Sequence, residues 1–276
     1  MVQIQGWQRW AWLRHGFSTR KGGVSIAYGR TGDLNLGWTK EDDSSLVAEN
    51  RRRFLESVSR NAHADEAGWK LVTLRQIHSG LVHAVGAEAL DGSLETAEGK
   101  AVLEGDGIMT NVPGVMAAVG TADCVPILLV DTRQRAVAAL HAGWRGTMEG
   151  IAEAGVAKMH SEYGSHVEDL AAAVGPSIGA CCYAVGEEVR EAFTARYKYA
   201  GELFRHVGQA MHVDLWEANQ RQLQGAGLKD AQITVVRECT ACALDERGAR
   251  KYFSHRADRG VAGRMLSAVG VAPSAN

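Results

Sequence analysis

The stretch GVMAAVGTADCVPILLVDTRQRAVAALHAGWRGT, residues 114–147, constrains the fold of this chain more than any other. Its apolar runs are broken by Asp, Arg and Gly, so none reaches the roughly 20 residues of a membrane helix. Short continuous apolar runs of this kind suit strands buried on both faces. VPILLV and AVAALHA therefore read as a buried hairpin or strand pair, with Cys124 at its entrance and His141, beside Gly143 and Trp144, at its exit. A chain of 276 residues, 46% hydrophobic, is large enough to surround such a pair with a full core and an enzyme-sized cavity.

Strands and helices mix along the rest of the chain. Residues 14–37 hold six glycines and read as a loop, with FST a short strand before the KGG turn. Their spacing matches neither a dinucleotide fingerprint nor a Walker loop. From Asp42 the periodicity predicts a helix with Leu46, Val47, Phe54 and Leu55 inward, and Arg51, Arg52 and Arg53 on different sides. WKLVTLRQIHSGLVHAV predicts two short strands around a turn at Gln76–Gly80, which puts His78 near a strand end. Further helices are expected from about Thr147, over EEVREAFTAR, and over MHVDLWEANQRQLQGAG, ending at Gly225 or Gly227. LAAAVG and ITVV read as strands. No Pro-rich or Ser-rich linker divides the chain. The expectation is one compact domain over residues 1–276, α/β or α+β, with mixed β-sheets flanked by helices.

Thirty Lys and Arg oppose thirty-two Asp and Glu. The net charge of -2 offers no uniform basic field, so neither nucleic acid nor a membrane surface is an expected partner. The amino terminus is aromatic and interrupted by polar residues, unlike a secretion signal, and a soluble cytoplasmic protein is expected. The five cysteines form no stapled framework, so reduced thiols are expected. Cys181 and Cys182 are adjacent and are expected to point apart, as packing residues. Cys239 and Cys242 form a lone CxxC, read as structural or as a local thiol pair.

Chemistry concentrates in His78, Cys124 and His141. A thiolate and two imidazoles are zinc ligands, and three of them leave a fourth position for water or substrate, where zinc lowers the pKa of water. The three are separated by 46 and 17 residues, so the fold must bring them together. The same residues also allow a thiol enzyme, with Cys124 as nucleophile, His141 or His78 as base and Asp123 orienting the base.

The motifs HGFSTRKGGVS, LNLG, QIHSG, DGIMTNVPGV, TADCVPILLVD, HAGWRGT, GPSIGACCYAVG, VDLWEANQRQL, CT and FSHR span nearly the whole chain. Together they resemble the multicopper polyphenol oxidase or laccase-domain family, whose members are regarded as zinc enzymes acting on purine nucleosides and are also linked to peptidoglycan editing. The resemblance implies that His78, Cys124 and His141 bind zinc at the catalytic centre. Ten histidines and no His-x-His pair suit one such site better than several copper sites. It further implies phosphorolysis of adenosine, inosine, guanosine or methylthioadenosine by inorganic phosphate, together with adenosine deamination. Arg51 and Arg256 are then the phosphate candidates, Ser18, Arg20 and Ser25 candidates for ribose or phosphate, and Asp123 an orienting residue. The alternative is a cytosolic hydrolase that edits peptidoglycan precursors, with Cys124 as a possible nucleophile.

Overall fold

The expected hairpin lies at the centre of the fold. A computed structural model describes residues 1–60 and 68–273. Strands β1 (Leu13–Phe17) and β2 (Lys21–Ser25) precede helix α1 (Ser44–Ser59). Then come β3 (Lys70–Val72), β4 (Val82–Ala84), β5 (Gly107–Thr110), β6 (Val115–Thr121), β7 (Val125–Asp131), β8 (Ala136–Ala142), α2 (Trp144–Glu149) and α3 (Ile151–Tyr163). The remainder holds β9 (Leu170–Val174), β10 (Ala184–Val185), α4 (Glu187–Arg196), β11 (Phe204–Val207), β12 (Ala210–Val213), α5 (Leu215–Gly225), β13 (Ile233–Val235) and β14 (Met265–Val271).

A six-stranded sheet runs β13-β9-β7-β8-β5-β4, a four-stranded sheet β1-β14-β6-β3, and a small sheet β10-β12-β11. Parallel pairs (β13 with β9, β4 with β5, β3 with β6) sit among antiparallel ones, so the sheets are mixed as expected. The uninterrupted apolar character of β7 and β8 follows from burial on both faces. Ile127, Leu129, Ala138 and Leu140 pack with Ile151, Val156 and Met159 of α3 and Leu223 of α5. Their alternates Leu128, Val130, Val137 and Ala139 pack with Ala117 and Val119 of β6 and Val269 of β14. Phe54 and Val58 of α1 cover the outer face of the four-stranded sheet at Met116, Ala118 and Ala268. The layers are thus helix, sheet, sheet, helices. Among the described residues, no helix is long and apolar enough to cross a membrane.

Local chemistry places the helix ends. The Asp43 carboxylate accepts from the Ser45 N–H at the start of α1, and Asp214 accepts from the Glu217 N–H at the start of α5. The second cap divides the tract expected as one helix: Met211, His212 and Val213 pair in β12 and the helix begins only at Leu215. The helix expected from Thr147 starts earlier, at Trp144, and is interrupted at Gly150, whose φ of 82° is left-handed. The FST strand lies slightly earlier, as β1. Cys181 and Cys182 do not diverge: their sulfurs converge with those of Cys239 and Cys242, all within 4.8 Å of one another.

At the amino terminus, the buried His15 accepts the Ile4 N–H on Nε2 at 2.9 Å and lies 4.9 Å from the Trp7 ring. Burial holds its pKa down to about 4. The unfolded chain protonates this residue near pH 6.5, so the contribution is complete above that pH and is lost as pH falls toward 4. The full loss is roughly 3 kcal/mol. His15→Gln keeps an acceptor but no titrating group, so the difference in urea midpoint between pH 7 and pH 5 should shrink in this variant relative to the parent.

Candidate active site

The hairpin register decides where the chemistry gathers. Pro126 pairs with His141 and Val125 with Ala142, so Cys124, one residue before β7, stands at the same open end of the pair as His141. His78 arrives from the β3–β4 turn with φ at 61°, a left-handed conformation rare for a residue with a Cβ. The Cys124 sulfur and a nitrogen from each histidine lie within 4.8 Å of one another. The two imidazoles meet edge to face, with centroids 4.9 Å apart. His141 is buried, Cys124 half-buried and His78 exposed. The glycine of HAGW lets the chain pass close to the cluster: a Cβ on Gly143 would lie 3.1 Å from both Cys124 Sγ and His78 Cδ2, and these side chains would have to give by a few tenths of an ångström.

Asp106 holds this arrangement. Its fully buried carboxylate receives His141 Nδ1 on Oδ1 at 2.8 Å. Oδ2 accepts the Ser79 N–H at 2.6 Å, the Ser79 hydroxyl at 2.8 Å and the Ile77 N–H at 3.2 Å. One carboxylate therefore shapes the turn that presents His78 and fixes the tautomer that leaves His141 Nε2 free as a ligand atom. Gln76 secures the turn's other side, accepting the Gly120 N–H at 2.7 Å and donating to the Gly120 carbonyl at 2.8 Å. The sequence reading missed Asp106. It heads the DGIMTNVPGV motif, just before the buried strand β5, but nothing local shows which donors would surround its carboxylate.

The electrostatics follow from this packing. Burial pushes the Cys124 thiol up, but the charge of His141 and hydrogen bonds from both histidines outweigh it and bring the pKa down to about 6. Burial pushes His141 down, yet the Cys124 sulfur and the Asp106 carboxylate raise it to about 9. Burial likewise opposes ionisation of Asp106, whose donors still hold it at about 2.

The cluster faces a cavity of about 770 Å³. Arg51, Arg75, Lys100, Arg145, Arg256 and Arg264 line it, against one lining acid, Asp123. Trp38, Trp144 and Tyr183 supply aromatic surface. Arg51 donates to the Leu36 carbonyl at 3.0 Å and to Thr73 Oγ1 at 3.2 Å, with its guanidinium 5.5 Å from the Trp38 ring centroid. Both partners are neutral. Arg256 lies 5.2 Å from the Tyr183 ring centroid and donates to the Ala184 carbonyl at 2.7 Å. Burial, reinforced by the negative charge of Cys124, pushes the Tyr183 phenol up to about 12, so it remains a donor at neutral pH.

The other candidates lie differently. Asp123 lines the cavity with both oxygens engaged, Oδ1 by the Thr240 hydroxyl at 2.7 Å and Oδ2 by the Arg256 backbone N–H at 2.7 Å, and so braces two loops there. Ser18, Arg20 and Ser25 do not line the cavity. Ser18 Oγ accepts the Leu266 N–H, the buried Arg20 forms a bidentate pair with Asp33, and Ser25 bonds Asp42 and Asn50. These three hold the glycine-rich segment against β14 and α1.

The donor set fits zinc: one thiolate and two imidazoles, one of them oriented by a buried carboxylate, with no Cβ at Gly143 to fill the space between them. Among the described residues, the other group of at least three ligand-type side chains contains cysteines alone, so no second histidine cluster is present for copper. His78→Ala, Cys124→Ser and His141→Ala should each lower bound metal. Asp106→Asn, which offers His141 the wrong partner, should weaken metal affinity about 10- to 100-fold. Metal content and competition with a chromogenic chelator measure both; wild-type affinity in the Asp106 variant would refute its orienting role.

A family model described as multi-copper polyphenol oxidoreductase laccase matches residues 14–272. A protein named purine nucleoside phosphorylase from Deinococcus radiodurans is 37% identical over 257 residues, covering 93% of this chain and 88% of its own. One named adenosine deaminase RL5, from an unknown prokaryote, is 42% identical over 230 residues, covering 82% and 84%. The crystal structure of Bacillus licheniformis hypothetical protein YfiH superposes with a TM-score of 0.84 at 31% identity, covering 98% of this chain and 96% of that one. With the match running through the segments that carry His78, Cys124 and His141, this chain belongs to the laccase-like multi-copper polyphenol oxidoreductase family.

Proposed function

We propose that this chain is a zinc-dependent purine nucleoside phosphorylase that also deaminates adenosine. The observation that carries the reading is a cationic, aromatic-walled cavity with a His, Cys, His metal set exposed to it. The names of relatives at 37% and 42% identity support the two activities. The substrates are adenosine, inosine, guanosine and methylthioadenosine, with inorganic phosphate as the second reactant. A volume of about 770 Å³ lies within the usual range of small-molecule sites, about 300–1,000 Å³.

His78, Cys124 and His141 would hold the zinc ion, which would supply Lewis acidity at the site. The chain supplies positioning. In phosphorolysis a phosphate oxygen attacks the anomeric carbon while the glycosidic bond breaks and its electron pair leaves with the purine. Arg51 is suited to the phosphate because its partners are neutral, which leaves its charge to be met by an anion. Arg256, also lining the cavity, stacks over Tyr183 and offers a second positive group. Trp38, Trp144 and Tyr183 offer faces for a purine ring, and the Tyr183 hydroxyl stays protonated to donate toward it.

Adenosine and inosine should be assayed in paired phosphate and phosphate-free buffers, with metal quantified in the same sample. The expected products are free purine with ribose 1-phosphate only in phosphate, and inosine from adenosine in both. Neither product from folded, metal-loaded protein overturns the reading. Removing a charge-assisted contact of about 1.5–3 kcal/mol by Arg51→Ala should raise the phosphate KM about 10- to 100-fold. Unchanged phosphate kinetics would place the anion elsewhere.

A further inference from the structure

Four of the five cysteines meet at one point, away from His78, Cys124 and His141, and the proposed reaction uses none of them. Cys181 and Cys182 lie in the turn after β9, and Cys239 and Cys242 in the loop after β13. The two segments are clipped together: the Ser177 N–H donates to the Glu238 carbonyl at 3.2 Å and the Thr240 N–H to the Ser177 carbonyl at 3.1 Å.

Each segment curls so that its sulfurs share a side. The Cys182 and Tyr183 N–H groups both return to the Gly179 carbonyl, at 2.9 and 3.0 Å, and the Cys242 and Ala243 N–H groups to that of Cys239, at 3.3 and 2.8 Å. The first turn is also held from behind, where His212 Nδ1 donates to the Ala180 carbonyl at 2.7 Å and Trp216 Nε1 to Ser177 Oγ at 2.6 Å.

The resulting geometry suits a metal. All four sulfurs lie within 4.8 Å of one another. Cys181 and Cys242 are 3.8 Å apart, far beyond a disulfide bond of about 2.05 Å. That spacing matches the edge of a tetrahedron with Zn–S bonds of about 2.3 Å, which is about 3.8 Å. The buried Cys239 sulfur accepts the Gly179 N–H at 3.3 Å, a contact that favours an electron-rich sulfur. Cys181 and Cys242 are exposed, so packing does not account for them.

We propose that Cys181, Cys182, Cys239 and Cys242 form a second metal site, a closed tetrathiolate that holds a structural zinc ion. Its four protein ligands leave no position for substrate, unlike the three-residue site. Four thiols lose their protons as the ion binds, and the ion joins two loops, the first of which carries the cavity-lining Tyr183. Tyr183 follows one ligand directly. Thr240, which holds Asp123, follows another. The site therefore fixes the wall on which Tyr183 and Arg256 stand.

The test is metal stoichiometry in the full chain, purified without chelator and supplied with zinc. Two ions per chain are expected in the parent, one from each cluster. The double substitution Cys181→Ser with Cys242→Ser should lose one ion and keep the other, whereas His78→Ala with Cys124→Ser should lose the other and keep this one. Cobalt exchanged into the His78, Cys124 variant should give the intense visible bands and sulfur-to-cobalt charge transfer of a tetrahedral thiolate site. This measurement leaves all four cysteines of the cluster in place and so does not depend on the Cys variants folding. Unchanged metal content in the folded Cys181, Cys242 variant, absence of those cobalt bands, or a disulfide between these cysteines in freshly reduced, zinc-supplied protein would each overturn the proposal. Failure of nucleoside turnover would leave the stoichiometry, and this inference, unaffected.

Discussion

A single buried carboxylate organises the chemical end of this molecule. Asp106 meets His141 on one oxygen and the Ile77–Ser79 turn on the other, so the positions of His78 and His141 are set by the same group. Burying a carboxylate is costly unless its oxygens are satisfied, and here each has a donor at or near 2.8 Å or closer. Because these donors come from separate segments, the cost of losing any one is felt at both histidines. The left-handed backbone at His78 persists within this set of hydrogen bonds.

The layered core determines where that carboxylate can act. Strands β7 and β8 are buried on both faces and have no room for polar side chains along their length, so chemistry is confined to their ends. Cys124 and His141 occupy one such end, and β6 delivers Gly120 to anchor the His78 turn beside it. The glycine-rich loop serves the same end indirectly. Its buried Arg20–Asp33 pair is satisfied within the loop, while the arginines left facing the cavity provide its positive field.

The family's descriptive name refers to copper oxidation, but ligand grouping separates this chain from a histidine-rich copper protein. Among the described residues one cluster mixes a thiol with two imidazoles and the other is sulfur alone. Such donor sets favour zinc and other thiophilic ions. The two clusters are also differently built: one is open to a cavity, while the other lies where two loops are already bonded to each other. Asp123 links them mechanically, since its carboxylate holds both Thr240 of the cysteine loop and the backbone of Arg256.

The sequence by itself determined the parts whose cause is local. The apolar runs specified buried strands, the period of residues 44–59 specified α1, and the motifs around His78, Cys124 and His141 named the residues that the fold brings together. The helix start capped by Asp214 was not legible, because Met211 and Val213 are apolar residues compatible with either helix or strand. Only the tertiary structure decided which polar residues face the cavity and which are consumed by the scaffold. Ser18, Arg20 and Ser25 belong to the distinctive HGFSTRKGGVS motif, yet their partners, 248, 13 and 17 positions away, hold them inside the protein. Asp106 heads the DGIMTNVPGV motif, yet its role was hidden for the same reason: a carboxylate's role depends on which donors surround it, and those donors are brought together from distant segments. The convergence of Cys181 and Cys182 on Cys239 and Cys242 is likewise a property of the contact between two loops, which no spacing within either one encodes.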